Sequence, residues 1–176
     1  GIDAESIGKV IDLQRNIEVG RFAYLTDEDA LANIPAGEVI GRYPDGRPRR
    51  KMAPIVFDDE PSADPELKQF RKGPPIRPGV ILGRELAKSL NVNIGDEITL
   101  LSPMGELGPM GVMPRTRKFR VAAIFYSAMY EYDASFAYID LKQAQSFFSM
   151  ENKISQIDIR PGDPETVERY GAALEN

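Results

Sequence analysis

The residues of this chain best suited to a specific function lie in a segment rich in glycine and proline. Their side chains are apolar, and the function they suit is noncovalent binding. Half of the six methionines fall within residues 103–117, whose sequence is PMGELGPMGVMPRTR. Methionine is flexible and adapts to the surface of a partner, whereas exposed loops are normally polar because their backbone needs water. The segment therefore predicts an interaction site for an apolar partner. The alternative is a loop that folds back and caps its own core.

The prolines and glycines of this segment also predict its backbone. Proline removes a backbone donor and fixes φ, and glycine admits conformations that are closed to other residues. We therefore expect neither a helix nor a regular central strand in residues 103–117, but a loop that connects two strands.

Residue types that serve catalysis or metal binding are sparse. The chain has no histidine and no cysteine, which excludes disulfides, Cys/His zinc sites and Cys/His nucleophiles. The glycines at 105, 108 and 111 lack the Lys-Ser/Thr of a phosphate-binding loop. We expect a non-catalytic domain without a metal or cofactor. The acidic-aromatic stretch Tyr130 to Asp133 fits either a sugar-binding patch or a tight connection between two strands with half-buried tyrosines.

Length and charge limit the class of protein further. The 176 residues fit one domain, with or without a small subdomain, and 42% of them are hydrophobic, as in ordinary globular proteins. A net charge of −5 argues against a nucleic-acid partner. No segment reaches the ~20 apolar residues of a membrane-spanning helix. The abrupt start at Gly1 predicts a fragment of a longer protein.

Hydrophobic periodicity and capping signals predict an α+β domain, because strands and helices are mixed without regular alternation. The predicted strands are 17–25, 80–82, 97–101, 118–126, 135–139 and 154–160. The predicted helices are 3–10, 27–33 after a Thr26 cap, 84–90, a helix to 148 that Asp140 and Gln143 cap, and one from Asp163 toward 174. Residues 41–77 are rich in proline and charge, and we expect an irregular, mobile insertion there.

The same periods predict which side chains form the core. These positions are Ile81, Leu82, Leu86, Leu90, Ile98, Leu100, Val121, Ile124, Ile139, Phe147, Ile157 and Ile159.

One run of residues resembles a known family. Residues 78–100, PGVILGRELAKSLNVNIGDEITL, resemble the extracytoplasmic core domain of MacB/FtsX-type ABC transporter permeases, in which a strand, a helix and a Gly-Asp turn recur in this order. The blocks FRVAAIF, YIDLKQAQSFF and ISQIDIRPGDPETVE continue the resemblance in register. It implies a MacB-like periplasmic core domain, with a mixed β-sheet and flanking helices, in an inner-membrane protein. Residues 1–176 would then be a periplasmic fragment of a permease.

Residues 109–117, PMGVMPRTR, resemble the PMGxxPxxR pattern of the protruding, hairpin-like hook in LolC-type lipoprotein-releasing permeases. The positions that match are Pro109, Met110, Gly111, Pro114 and Arg117. The resemblance implies that the hook recruits a LolA-like periplasmic lipoprotein chaperone, with a sister permease, an ATPase subunit and a lipoprotein substrate as further partners. The residues expected to bind are Met104, Leu107, Pro109, Met110, Gly111, Val112, Met113, Pro114, Arg115 and Arg117.

Two other functions fit parts of the sequence. A MacB/FtsX-like mechanical transmission domain would pack the same loop on a sister permease and would bind no chaperone. An unrelated carbohydrate-binding or carbohydrate-active module would use the patch from Tyr130 to Asp133.

Overall fold

The structure, a computed structural model, describes residues 1–4, 6–7, 11–52, 75–108 and 111–160. The strands are β1 (Ile17–Gly20), β2 (Val39–Arg42), β3 (Pro48–Arg50), β4 (Gly79–Gly83), β5 (Glu97–Gly108), β6 (Gly111–Phe125) and β7 (Ala137–Ile139). The helices are a 3₁₀ turn (Phe22–Leu25), α1 (Glu28–Ala32), α2 (Arg84–Leu90), α3 (Tyr130–Ser135) and α4 (Leu141–Phe148). None of these helices is long and apolar enough to cross a bilayer.

A five-stranded mixed sheet organises the chain and confirms the predicted α+β class. Its order is β1-β6-β4-β7, and β5 pairs with β6. Strand β4 runs parallel to β6 and antiparallel to β7, while β1 and β5 are antiparallel to β6. All five residues of β4 are buried, as expected for an apolar run at the centre of a sheet.

The core lies on both faces of β4 and β6. Six predicted core residues are buried, and they are Ile81, Leu82, Val121, Ile124, Ile139 and Phe147. Three more, Leu86, Ile98 and Leu100, are partly buried and pack against the larger cluster. The prediction is wrong for Leu90, which is 49% exposed. Leu90 is the last residue of α2, and the buried residue of that helix is Ala87, three positions earlier.

The predicted strand at 154–160 is also wrong, because these residues form no strand in the structure. Two residues assigned to the core, Ile157 and Ile159, are 72% and 60% exposed. Alternation of apolar and polar residues favours a strand only where a neighbouring strand completes the ladder. Within the described part of the chain, no strand pairs with this segment.

The region 41–77 contains regular structure at its start. Strands β2 and β3 form a separate antiparallel hairpin, and the turn between them includes Gly46 with φ of 83°. The phenol of Tyr24, which is buried in the core, donates a hydrogen bond to Glu38 and links the residue before β2 to the core. Residues 53–74 lie outside the described part of the chain.

Several predicted element boundaries move. Helix α1 is capped by Asp27, whose carboxylate accepts from Ala30 N–H, and not by Thr26. Strand β1 ends at Gly20, where φ is 86°, and a 3₁₀ turn follows. The predicted 3–10 helix lies partly, and the helix from Asp163 entirely, outside the described residues. The stretch from Tyr130 forms helix α3 instead of a tight connection.

Candidate functional site

Strand β6 extends beyond the strands β1 and β4 with which it pairs in the sheet. This extension is the candidate functional site. Residues Arg120 to Phe125 pair with β4, and the end of β6 also pairs with β1. The preceding residues, from Gly111 to Phe119, pair only with β5. At ~3.3 Å per residue, the strand from Arg120 back to Gly111 is roughly 30 Å long. Strands β5 and β6 therefore form a two-stranded ribbon that leaves the sheet; we call residues 101–117 the hook ribbon.

The described part of residues 103–117 forms no helix and no central strand, as predicted, but the expected loop is largely an extension of the two flanking strands. Strand β5 continues to Gly108 and β6 begins at Gly111. Proline and glycine are disfavoured in a central strand, but both edges of a two-stranded ribbon are free. A shift in the register also accommodates the prolines: Ser102 pairs with Arg115 and Glu106 with Met113, so residues 103–105 face Pro114 alone.

Gly105 is required at this bulge. A Cβ atom built on Gly105 would overlap the carbonyl oxygen of Met113 on the opposite strand. Only glycine allows the two backbones to approach so closely. The bulge changes the local twist of the ribbon, and it therefore sets the direction in which the distal part points.

The distal part of the hook ribbon presents apolar groups to solvent. Met113 is 63% exposed, and Pro114 is exposed as well. Leu107 pairs with Val112 across the ribbon, and Gly108 with Gly111, which has φ of 115°. Met104 lies on β5. Residues Pro109 and Met110 lie outside the described part of the chain, as do the side chains of Met104, Leu107 and Val112.

Two of the residues expected to bind a partner, Arg115 and Arg117, make contacts within the domain. The Arg115 guanidinium donates to the carbonyl oxygen of Phe147 at 3.3 Å and to Ser149 Oγ at 2.6 Å. Arg117 donates to the carbonyl oxygen of Gln143 at 3.5 Å. Both arginines are half-buried. The base of the hook ribbon is therefore fastened to helix α4.

Local sequence signals determine where helix α4 begins and ends, and therefore where the acceptors of these two arginines lie. Asp140 caps the first turn by accepting from Lys142 N–H. Ala144 and Phe147 are buried on one face of the helix. Ser149 ends the helix in the left-handed conformation, with φ of 53°. The carbonyl of Phe147 belongs to the last turn, whose carbonyl groups have no partner within the helix, so it is free to accept from Arg115.

Several residues that support the site were not predicted from the sequence. They are Gln143, Phe147 and Ser149 on or after α4, and the ion pair between Glu97 and Arg120 at the foot of the ribbon. The spacing of Arg115 and Arg117 on one face of a strand is the only sequence signal that could have indicated a contact surface for them.

The alternative sugar-binding patch lacks a free carboxylate pair. Asp133 is 1% exposed, and its carboxylate accepts from the backbone N–H and the hydroxyl of Ser127, both at 2.8 Å. Tyr130 and Tyr132 are exposed and not half-buried as predicted, at 72% and 43%. Among the described residues, no group of acidic side chains is arranged to hold a metal ion.

Comparison with known proteins identifies the family. The model of the MacB-like periplasmic core domain matches residues 6–176. The chain is 27% identical over 152 residues to the lipoprotein-releasing system transmembrane protein LolC of Neisseria meningitidis serogroup B, a match that covers 86% of this chain and 35% of that protein. It is 32% identical over 79 residues to LolC of Xylella fastidiosa, covering 43% of this chain and 19% of that protein. The chain thus spans about a third or less of the relatives it matches. The chain belongs to the family of MacB-like periplasmic core domains.

Proposed function

We propose that this chain is the periplasmic domain of an inner-membrane, lipoprotein-releasing ABC transporter permease, and that its hook ribbon recruits a LolA-like lipoprotein chaperone. The observation that carries the proposal is a two-stranded ribbon that leaves the sheet and exposes Met113 and Pro114. Large exposed apolar side chains on a protrusion indicate an interaction site. The names of the matched relatives add lipoprotein release as the process.

The physical properties of the ribbon suit insertion into an apolar cavity. A chaperone that carries lipoproteins must hold acyl chains, so its cavity is apolar and accepts methionine and leucine side chains. Prolines at 103, 109 and 114 reduce the conformational entropy that the ribbon loses on binding. The ribbon is also narrow, since each strand is paired on one side only.

The remaining parts of the transporter follow from the same proposal. The domain itself is non-catalytic, and ATP hydrolysis belongs to a separate nucleotide-binding subunit. A sister permease completes the membrane part, and the lipoprotein passes to the chaperone for transfer toward the outer membrane. We also propose that residues 41–77 are an insertion in the family's domain and take no part in chaperone binding.

The second candidate is a mechanical transmission domain without chaperone binding. The contacts of Arg115 and Arg117 with α4 favour it, because they couple the ribbon to the body of the domain. The exposure of Met113 beyond these contacts favours chaperone binding instead, since a purely internal lever has no need of an apolar tip.

Site-specific photo-crosslinking tests the proposal. A benzoyl-phenylalanine residue at Met113 of the membrane-embedded permease should crosslink to the chaperone in cells. The same residue at Met52, which is 78% exposed and lies two positions after β3, should give no such product. Crosslinks from Met113 to the sister permease alone would support the transmission domain and contradict the chaperone proposal.

A further inference from the structure

We infer that Arg115 is a positioning residue that holds the hook ribbon in its binding direction by latching it to the end of helix α4; this inference rests on the proposed function. The latch consists of Arg115 and Arg117 on β6, and of Gln143, Phe147 and Ser149 as their acceptors. These contacts join residues that lie 26 to 34 positions apart in the sequence.

The spacing of the two elements explains why the latch has two points. Residues Arg115 and Arg117 are two positions apart on a strand and point to the same side, ~6.6 Å apart. Their acceptors, Phe147 and Gln143, are four positions apart on a helix, which is ~6 Å along its axis. The two repeats match, so strand and helix lie side by side in opposite directions. A ribbon held at two points cannot pivot about either one.

The electrostatics favour the Arg115 contact over the Arg117 contact. The guanidinium of Arg115 meets the C-terminal end of α4, where the helix dipole is negative and carbonyl groups lack helical partners. It has two acceptors in the latch, and the shorter distance is 2.6 Å. Arg117 has a carbonyl at 3.5 Å and lies 5.8 Å from the centre of the Phe119 ring. Arg115 is therefore the stronger of the two points.

The consequence is preorganisation of the hook. Beyond Arg115, the ribbon extends for ~13 Å to Gly111, paired only to itself. Its direction therefore depends on how firmly its base is held. If the latch is released, the hook points in the binding direction for only a fraction of the time, and the apparent affinity for a partner is reduced by that fraction. A hook that is aligned for about a tenth of the time binds about tenfold more weakly.

Because the chain has no cysteine, spin labels can be attached at chosen positions, and the orientation of the hook ribbon can be measured directly. Spin labels are placed at Met113→Cys on the ribbon and Ser89→Cys on α2, and the distance distribution between them is recorded by pulsed electron paramagnetic resonance. We expect a narrow distribution in the otherwise unchanged chain. Arg115→Ala should broaden it, and Ser149→Ala, which removes the acceptor at 2.6 Å, should broaden it less. Thr116→Ala, an exposed neighbour on the opposite face of β6, should leave it narrow.

A second readout separates positioning from mere stability. Arg115→Ala in the cysteine-free chain should bind the purified LolA-like chaperone of the same organism about tenfold more weakly, with a folded core by circular dichroism. A distribution as narrow as that of the parent in both Arg115→Ala and Ser149→Ala would overturn the latch. If Arg115→Ala fails to fold, the Ser149→Ala distribution decides. The spin-label experiment needs no chaperone, so its result tests the latch even if the proposed function is wrong.

Discussion

Glu97 and Arg120 face each other across β5 and β6 and form an ion pair, with 2.8 Å between Arg120 Nη2 and Glu97 Oε1. Arg120 is 5% exposed, and it lies where β6 passes from the sheet into the ribbon. A second arginine, Arg77, is 3.9 Å from the same carboxylate. One glutamate therefore balances two guanidinium groups at the foot of the hook ribbon.

The first prediction concerns this ion pair. Glu97→Ala leaves the buried Arg120 guanidinium without its acceptor, which we expect to lower the free energy of unfolding by about 2 kcal/mol. Urea denaturation of the isolated domain measures the change. Replacing both Glu97 and Arg120 by leucine should cost less than Glu97→Ala alone, because the buried Arg120 charge is removed together with its partner. An unfolding free energy unchanged by Glu97→Ala would mean that solvent, and not Glu97, satisfies Arg120.

The core assignment makes a second prediction. Ile124 on β6 is a buried member of the larger apolar cluster, so Ile124→Ala should lower the free energy of unfolding by about 2–5 kcal/mol. Leu90→Ala removes a side chain of similar size from an exposed position and should change it by less than about 0.5 kcal/mol. Equal losses in the two variants would show that the cluster does not stabilise the domain in this way.

A third prediction tests the bulge. Gly105→Ala forces a Cβ atom against the carbonyl of Met113, so the distal strands must separate or change register. Backbone amides of the ribbon should exchange with deuterium faster in this variant, while those of β4 keep their protection, because the core is untouched. The β4 amides serve as the internal control. Unchanged protection throughout the ribbon would contradict the close approach of Gly105 and Met113.

A fourth prediction concerns pH. Burial, and then the hydrogen bond to Glu38 and the charge of Glu38, raise the pKa of the Tyr24 phenol above its ordinary value. A raised pKa means that the stabilising contribution is complete below about pH 10 and is lost as the pH rises through the folded-state value. Tyr24→Phe should therefore be about 1 kcal/mol less stable than the parent at pH 8.

The difference in unfolding free energy between the parent and Tyr24→Phe should shrink as the pH rises. Urea denaturation from pH 8 to 11.5 measures it, and subtraction of the two curves removes the contribution of Tyr138, whose pKa burial also raises. A difference that stays constant over this range would show that Tyr24 does not titrate with unfolding.

Local signals in the sequence predict much of the fold. Helix α2 occupies the predicted residues, and α4 follows its Asp140 cap, because caps and short apolar stripes act within one or two turns. The buried strand β4 was equally clear from its unbroken apolar run. Residues such as Ile157 defeat this approach, because alternation indicates a strand but cannot supply the neighbour that would bury it.

The candidate site could also be predicted only in part from the sequence. The sequence predicts an apolar binding segment at 103–117, and the family resemblance adds a hairpin-like hook, but the proline and glycine content favours a loop where two paired strands form. The free edges and the register shift opposite Pro114 remove the usual cost of these residues. The contacts of Arg115 with Phe147 and Ser149 join distant parts of the chain, so no local pattern could predict that this arginine supports the hook.

Binding of the chaperone to an altered hook tests the central claim most directly. Replacing Pro109-Met110-Gly111 by Ser-Gly-Ser removes the apolar groups between β5 and β6, and Leu90→Ala, which removes an exposed leucine at the end of α2, is the matched control. Each domain is titrated calorimetrically with the purified LolA-like chaperone of the same organism. We predict no detectable binding by the replaced hook, parent-like binding by Leu90→Ala, and thermal midpoints of both within about 2 °C of the parent. Parent-like affinity in the replaced hook would contradict the claim, and a large loss of thermal stability would show that the segment caps the core instead.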